Sequence, residues 1–253
     1  MGEKPNLRVL CVIPAYNEEQ AVAKVIADLR QSAPWADVLV VDDGSVDRTE
    51  QRARQAGAMV CRLSYNLGIG AAVQTGLKYA FRNRYDVAIQ VDGDGQHPAD
   101  QIPVLLAALQ ADPEVDVVIG SRFLEDRGYK SPRSRLTGIK IFSAVLSLVC
   151  GQKLSDTTSG FRATRGEAIG FLARYYPRDY PEVEALLLLH RAGYRLREVP
   201  VHMRQRQGGE SSIRLVHGAY YMIKVFLAIF VELMKEAKGR KGDPASFARR
   251  AMD

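Results

Sequence analysis

The sequence predicts an α/β domain: a mostly parallel central sheet with helices on its faces. Three observations carry this. Short apolar runs alternate with longer segments of helical periodicity through the first half of the chain, the pattern of strand–helix units. The runs are apolar enough to be covered on both faces, as parallel strands are. Polar residues cluster where the runs stop, at Asn17-Glu18, Asp42-Asp43, Asn66 and Asp92-Asp94, and ligands bind beyond the carboxyl ends of such strands.

In chain order, Arg8–Ile13 reads as the first strand, ending at Pro14. Glu18–Ser32 carries Ala21, Val22, Val25, Ile26 and Leu29 on one helical face. Asp37–Val41 is the second strand and stops at Asp42-Asp43-Gly44-Ser45. A helix follows from Arg48 to Ala56, then a strand over Met59–Leu63 and a helix over Ile69–Arg84 with Val73, Leu77 and Ala80 aligned. Val87–Val91 is the fourth strand, Ile102–Leu109 a helix and Val115–Ile119 the fifth strand. The second half is less regular. Glu125–Arg135 reads as a charged loop, Leu136–Cys150 as strongly apolar, and Thr157–Thr164 as a turn with a short strand. Glu182–Ala192 is helical, Arg195–Met203 a strand, and Tyr220–Met234 apolar almost all round, interrupted by Lys224 and Glu232.

Composition narrows the partners. The 253 residues are 47% hydrophobic, enough to bury a sizeable core, and carry a formal net charge of +6, which favours anionic partners. No RNA-binding aromatic motif, zinc-finger spacing or helix-turn-helix pattern is present, so nucleic acid is the weakest of these. Cys11, Cys61 and Cys150 are odd in number and far apart, which suggests a reducing compartment and no disulfide framework. The polar stretch Met1–Leu7 lacks the apolar core of a signal peptide.

The segment Gln90-Val91-Asp92-Gly93-Asp94-Gly95-Gln96-His97 is the most informative. Two carboxylates flank a glycine directly after a buried strand. Hard cations such as Mg²⁺ take oxygen ligands, commonly one or two carboxylates plus substrate phosphates. The competing reading is a polar turn, since Asp-Gly pairs form turns readily. The residues alone leave both open, and His97 reads as turn filler slightly ahead of support for the site.

Six segments in order then resemble one family. They are Pro14-Ala15-Tyr16-Asn17-Glu18, Asp42-Asp43-Gly44-Ser45, Asn66-Leu67-Gly68-Ile69-Gly70, Asp92-Gly93-Asp94, Gly120-Ser121-Arg122 and Ser159-Gly160-Phe161-Arg162. Together they resemble the family 2 glycosyltransferases of GT-A fold, and within them the polyprenyl-phosphate (dolichol- and undecaprenyl-phosphate) sugar transferases. The resemblance implies a nucleotide-sugar donor, a polyprenyl phosphate acceptor and Mg²⁺ or Mn²⁺ at Asp92 and Asp94. It places Pro14, Tyr16, Glu18, Asp43, Asn66, Gly70, Asp92, Gly93, Gln96 and Arg206 around the donor. It gives Asp94, Arg122 and Arg162 to catalysis, and Arg133, Arg135 and Ser159 to the acceptor phosphate. Arg206-Gln207-Gly208-Gly209-Glu210-Ser211-Ser212 resembles the family's loop over the diphosphate. Dolichol-phosphate mannose synthases tend to have lysine where Ser212 stands, which favours UDP-glucose or UDP-N-acetylglucosamine over GDP-mannose.

A polyprenyl monophosphate, with a second pKa of about 6 as for other phosphomonoesters, is largely dianionic at neutral pH and needs no general base. A hydroxyl acceptor would need one, and Asp156, Asp179, Glu182 and Glu184 are the candidates. Tyr180-Pro181-Glu182-Val183-Glu184 reads first as a helix start, with Pro at N1 and acids in the first turn. Neither Leu136–Cys150 nor Tyr220–Met234 reaches the roughly twenty apolar residues of a spanning helix. Both suit the interfacial plane, or a small integral membrane partner. The expected organisation is a catalytic domain over 1–210, an amphipathic helical region over 211–236 and a basic, disordered tail over 237–253. The expected place is the cytoplasmic face of the membrane, as a peripheral protein. The alternatives are transfer to a glycan or small-molecule hydroxyl, a non-catalytic nucleotide-sugar-binding subunit and, more remotely, a nicotinamide-dependent oxidoreductase.

Overall fold

β1 (Val9–Ala15) is buried along its whole length, because its odd-numbered residues enter one core cluster and Leu10 and Val12 enter another. It is the axis of a seven-stranded sheet in the order β3-β2-β1-β4-β6-β5-β7. The strands are β2 (Asp37–Asp42), β3 (Met59–Arg62), β4 (Val87–Gln90), β5 (Val117–Ser121), β6 (Arg162–Arg165) and β7 (Leu196–Pro200). β6 runs antiparallel to both of its neighbours, β4 and β5. The other pairings are parallel. The computed structural model describes residues 7–125, 133–178, 181–204 and 218–234.

Helices cover both faces. α1 (Val22–Ser32) buries Val22, Val25, Ile26 and Leu29, spaced i, i+3, i+4 and i+7, against one face. α2 (Thr49–Gln55) and α4 (Ile102–Ala111) lie on the same side, contributing Ala53, Ile102, Leu105 and Leu109 to that cluster. On the opposite face sit α3 (Ile69–Arg82), α6 (Glu167–Tyr175) and most of α7 (Pro181–Arg191). α3 approaches β1 so closely that a Cβ on Gly76 would collide with the Val12 side chain, hence glycine at that position.

α5 (Arg133–Cys150) and α8 (Gly218–Met234) form a third cluster with α7. Phe142, Leu146, Val183, Leu187, Val225 and Ile229 fill it, and the Phe142 and Phe226 rings stand 5.3 Å apart. Several other apolar side chains of these two helices face outward: Leu148 is 83% exposed, Phe230 61% and Met234 75%, beside exposed Ile141, Leu227 and Leu233. No helix among the described residues is long and apolar enough to cross a membrane.

α6 has no counterpart in the sequence expectation, and α1 and α5 start elsewhere than expected. α1 starts at Val22, four residues after Glu18, because the Glu18 N–H is held by the Thr49 hydroxyl at 2.8 Å and Asn17 has a φ of 55°. α5 begins at Arg133, inside the segment expected to be a loop. The expected tail over 237–253 lies outside the described residues.

Candidate active site

β1 lies between β2 and β4: the chain runs outward from β1 through β2 to β3, then crosses back to β4 on the other side of β1. This is a topological switch point, where a crevice opens beyond the strand ends. The loops after β1, β2, β3 and β4 all meet there.

Hydrogen bonds lace the first three loops together. The Asn17 N–H donates to the Ser45 hydroxyl at 2.9 Å, and Asn17 Oδ1 accepts the Val46 N–H at 3.0 Å. Asp42 Oδ1 accepts the Ser45 N–H at 2.9 Å. Asp43, expected at the nucleoside, is buried with both oxygens occupied: they accept the N–H groups of Leu67 at 2.8 Å and Gly68 at 2.9 Å. Its structural task is to fix the loop after β3. Asn66 Oδ1 accepts the Gly68 N–H at 3.0 Å, closing a small turn. Gly70 is also explained by packing rather than by a phosphate, because a Cβ there would collide with the carbonyl of Pro177. Pro14 is buried at the end of β1, Glu18 is buried below it, and Tyr16 is exposed.

The acidic pair follows β4. Asp94 is buried, and its Oδ1 accepts the Gln96 N–H at 2.9 Å. Gln96 in turn accepts the Arg204 N–H on its carbonyl at 3.0 Å. The Asp92 N–H donates to His97 Nδ1 at 3.0 Å, and His97 Nε2 lies 3.4 Å from Asp92 Oδ2. Burial pushes the His97 imidazole down to about 4, against the opposing pull of Asp94, so the ring is neutral at pH 7. With Nδ1 accepting, the proton sits on Nε2 and faces the Asp92 carboxylate. The ring stacks on Phe161 at a centroid distance of 4.8 Å. His97, ambiguous in the sequence, therefore supports Asp92. Gly93 lets the turn lie close to β1: a Cβ would stand 3.1 Å from the Pro14 carbonyl oxygen.

The donor set suits a hard cation. The pair offers carboxylate oxygens, and His97 has one nitrogen accepting a hydrogen bond and the other carrying a proton. No group of three or more His, Cys, Asp or Glu residues that could hold a metal occurs among the described residues. A divalent ion here would complete its shell with substrate oxygens and water, the usual habit of Mg²⁺.

The two arginines expected to touch phosphates have other partners. Arg122 donates from Nε to Asp156 Oδ2 and from Nη2 to Asp156 Oδ1, both at 2.6 Å, and from Nη2 to the Thr158 hydroxyl at 2.8 Å. Both members of the pair are buried. Arg162 donates to the carbonyls of Ser159 at 2.8 Å and Glu182 at 2.6 Å, and burial lowers its pKa. The Ser159 hydroxyl donates to the Gly120 carbonyl at 2.7 Å. All three residues are interior supports in this structure. The side chains of Arg133 and Arg135, on the first turn of α5, and the whole of Arg206 lie outside the described residues.

Glu198 on β7 is prominent here without belonging to any motif. Its carboxylate accepts the N–H groups of Ser155 at 2.8 Å and Asp156 at 2.7 Å, and the Ser155 hydroxyl at 2.8 Å. The available signal was one acid inside an otherwise apolar strand end. Glu182, at the start of α7, has its pKa raised by burial, with Arg162 opposing and the Asp92 charge adding.

Comparison with known proteins gives the family and the fold. The family model described as glycosyl transferase family 2 matches residues 10–171. The undecaprenyl-phosphate mannosyltransferase of Micrococcus luteus is 32% identical over 216 residues, covering 82% of this chain and 88% of that protein. The UDP-N-acetylglucosamine–dolichyl-phosphate N-acetylglucosaminyltransferase of Methanococcus voltae is 29% identical over 213 residues, covering 76% and 84%. Among solved structures, glucosyl-3-phosphoglycerate synthase from Mycobacterium tuberculosis superposes with a TM-score of 0.70 at 21% identity, covering 92% of this chain and 80% of that one. The fold is the GT-A fold, and the chain belongs to glycosyl transferase family 2 as a glycosyltransferase.

Proposed function

We propose that the chain transfers a hexose from a nucleotide diphosphate sugar to a polyprenyl phosphate, with inversion at the anomeric carbon. UDP-glucose and UDP-N-acetylglucosamine are the preferred donors, with GDP-mannose behind them. The acceptor is carried by one observation: relatives similar over most of their length are named as undecaprenyl- and dolichyl-phosphate transferases. The donor follows from the acidic pair at the switch point. Asp92 and Asp94 would hold Mg²⁺ or Mn²⁺, which supplies positive charge to the leaving diphosphate.

In this reading the chain positions and neutralises, and abstracts no proton. A phosphate oxygen of the acceptor attacks the anomeric carbon as the bond to the diphosphate breaks. Arg133 and Arg135 stand on the first turn of the 18-residue α5, where helix N–H groups also favour an anion. They remain the cations for the acceptor phosphate, while Arg122 and Arg162 support the site from inside the protein, and Arg206 is assigned to the donor diphosphate. The outward apolar side chains of α5 and α8, with exposed Lys140 and Lys224 beside them, fit a seat in the interface of the cytoplasmic leaflet.

The test incubates purified protein with membranes, Mn²⁺ and a panel of nucleotide sugars. Release of nucleoside diphosphate together with sugar in the lipid extract is expected. Sugar transfer only to hydroxyl compounds in the water phase would refute the reading. That second reading has one point in its favour: the raised pKa of Glu182, close enough to Asp92 to sense its charge, suits a general base. Under it Glu182→Gln abolishes transfer. Under the phosphate reading it does not.

A further inference from the structure

Residues 155–161 overlap the Ser159–Arg162 segment that resembles the family, yet their polar side chains point into the protein. Glu198 holds the start of the segment through three hydrogen bonds, to the Ser155 N–H, the Ser155 hydroxyl and the Asp156 N–H. Ser121 Oγ lies 2.7 Å from Ser155 Oγ, and Ser143 on α5 donates to the Ser155 carbonyl at 3.0 Å. Asp156 is locked to Arg122. The Ser159 hydroxyl reaches the Gly120 carbonyl, and the Gly120 N–H returns to the Phe161 carbonyl at 2.8 Å. A segment tied to β5, β7 and α5 in this way has little freedom.

What it presses against is the acidic pair. A Cβ on Gly160 would stand 2.7 Å from Gln90 Nε2 and 3.3 Å from Asp92 Oδ1. Phe161, next in sequence, stacks on His97, whose ring contacts Asp92 from the other side. Gln90 sits on β4 opposite Arg162 in the β4–β6 register and faces the Tyr176 hydroxyl at 3.4 Å. Asp92 is thus enclosed between a glycine backbone and a neutral histidine, both anchored through one segment.

We propose that residues 155–161 are a brace that holds the Asp92 carboxylate in place for its cation, with Gly160 and Glu198 as positioning residues. This rests on the cation site assigned above to Asp92 and Asp94. Outer-sphere supports of metal ligands, when lost, weaken binding by about 10–100-fold. A methyl at Gly160 displaces the Gln90 amide nitrogen and makes Asp92 give by a few tenths of an ångström. In Glu198→Gln one carboxylate oxygen becomes an NH2 group, so one of the N–H groups of Ser155 and Asp156 faces a donor in place of its acceptor.

Mn²⁺ titration of metal-free protein by electron paramagnetic resonance, with UDP or GDP present, separates the outcomes. Wild type is expected to bind, Asp94→Ala to fail, and Gly160→Ala and Glu198→Gln to bind about tenfold or more weakly. Melting of each variant identifies any that do not fold, and either one alone decides the matter. Wild-type affinity in a folded Gly160→Ala or Glu198→Gln protein overturns the brace and leaves the cation site standing. No Mn²⁺ binding by wild type with either nucleotide overturns both.

Discussion

Asp156→Asn tests whether Arg122 is a structural cation or a phosphate ligand. The carboxylate is fully buried and receives two guanidinium hydrogen bonds of 2.6 Å, plus the Arg122 N–H at 3.0 Å. Replacement by the isosteric amide removes the countercharge and turns one acceptor into a donor facing the guanidinium. Breaking a buried pair by changing one partner costs about 3–5 kcal/mol. At roughly 2–4 °C per kcal/mol for a chain of this size, the melting temperature should fall by about 10 °C. Urea unfolding followed by far-UV circular dichroism measures the loss directly. Arg122→Lys should also destabilise, because a point ammonium cannot reproduce the two-pronged contact. Unfolding of Asp156→Asn within about 1 kcal/mol of wild type would refute this assignment and return Arg122 to the substrate.

Four further outcomes are expected. Asp94→Ala should abolish nucleoside diphosphate release in the membrane assay; near wild-type turnover would reject the cation assignment. His97 is neutral in the fold, held down to about 4, and titrates near 6.5 once unfolded. Its contribution is therefore complete above pH 6.5 and is lost as pH falls toward 4, by roughly 3 kcal/mol in all. In metal-free His97→Phe the drop in unfolding free energy between pH 7 and 4.5 should be smaller than in wild type. Gly76→Ala would be mildly stabilising in an exposed helix, but the new methyl meets Val12 of β1 and should cost about 1–3 kcal/mol by thermal melting. Leu227→Ser with Phe230→Ser removes two outward apolar side chains and should weaken binding to anionic vesicles about tenfold with the melting point unchanged.

Local signals reveal the first half of the fold and leave parts of the second obscure. β1, β2 and β4 are short apolar runs buried on both faces, and α1 and α3 carry regular apolar faces, so composition and period identify them. α6 is a different case. Its residues Ala168 to Ala173 are all buried, which leaves no polar stripe to reveal the period, and Gly170 lies in its interior. In the site, the acidic pair stands out as two carboxylates around a glycine directly after a buried strand, a pattern that a polar turn shares. The fates of Asp43, Arg122 and Arg162 could not be read in the same way. A charged side chain near a ligand cleft looks identical in sequence whether it faces the ligand or a backbone amide 24 residues away, as Asp43 does. Glu198 is hidden for the converse reason: its partners, Ser155 and Asp156, lie more than forty residues earlier.

The antiparallel β6 sets an order of assembly. β1 to β4 can pair with one another as soon as residue 90 has been made, leaving the free edge of β4 bare. β5 is synthesised next but has no neighbour on that edge until β6, which must insert between the two with reversed direction. Such non-local pairings close slowly. The half of the molecule that bears the acidic turn is thus made early, while β6 and β7 follow late, so a nascent or truncated chain ending before residue 155 would have Asp92 and Asp94 without the segment proposed to brace them.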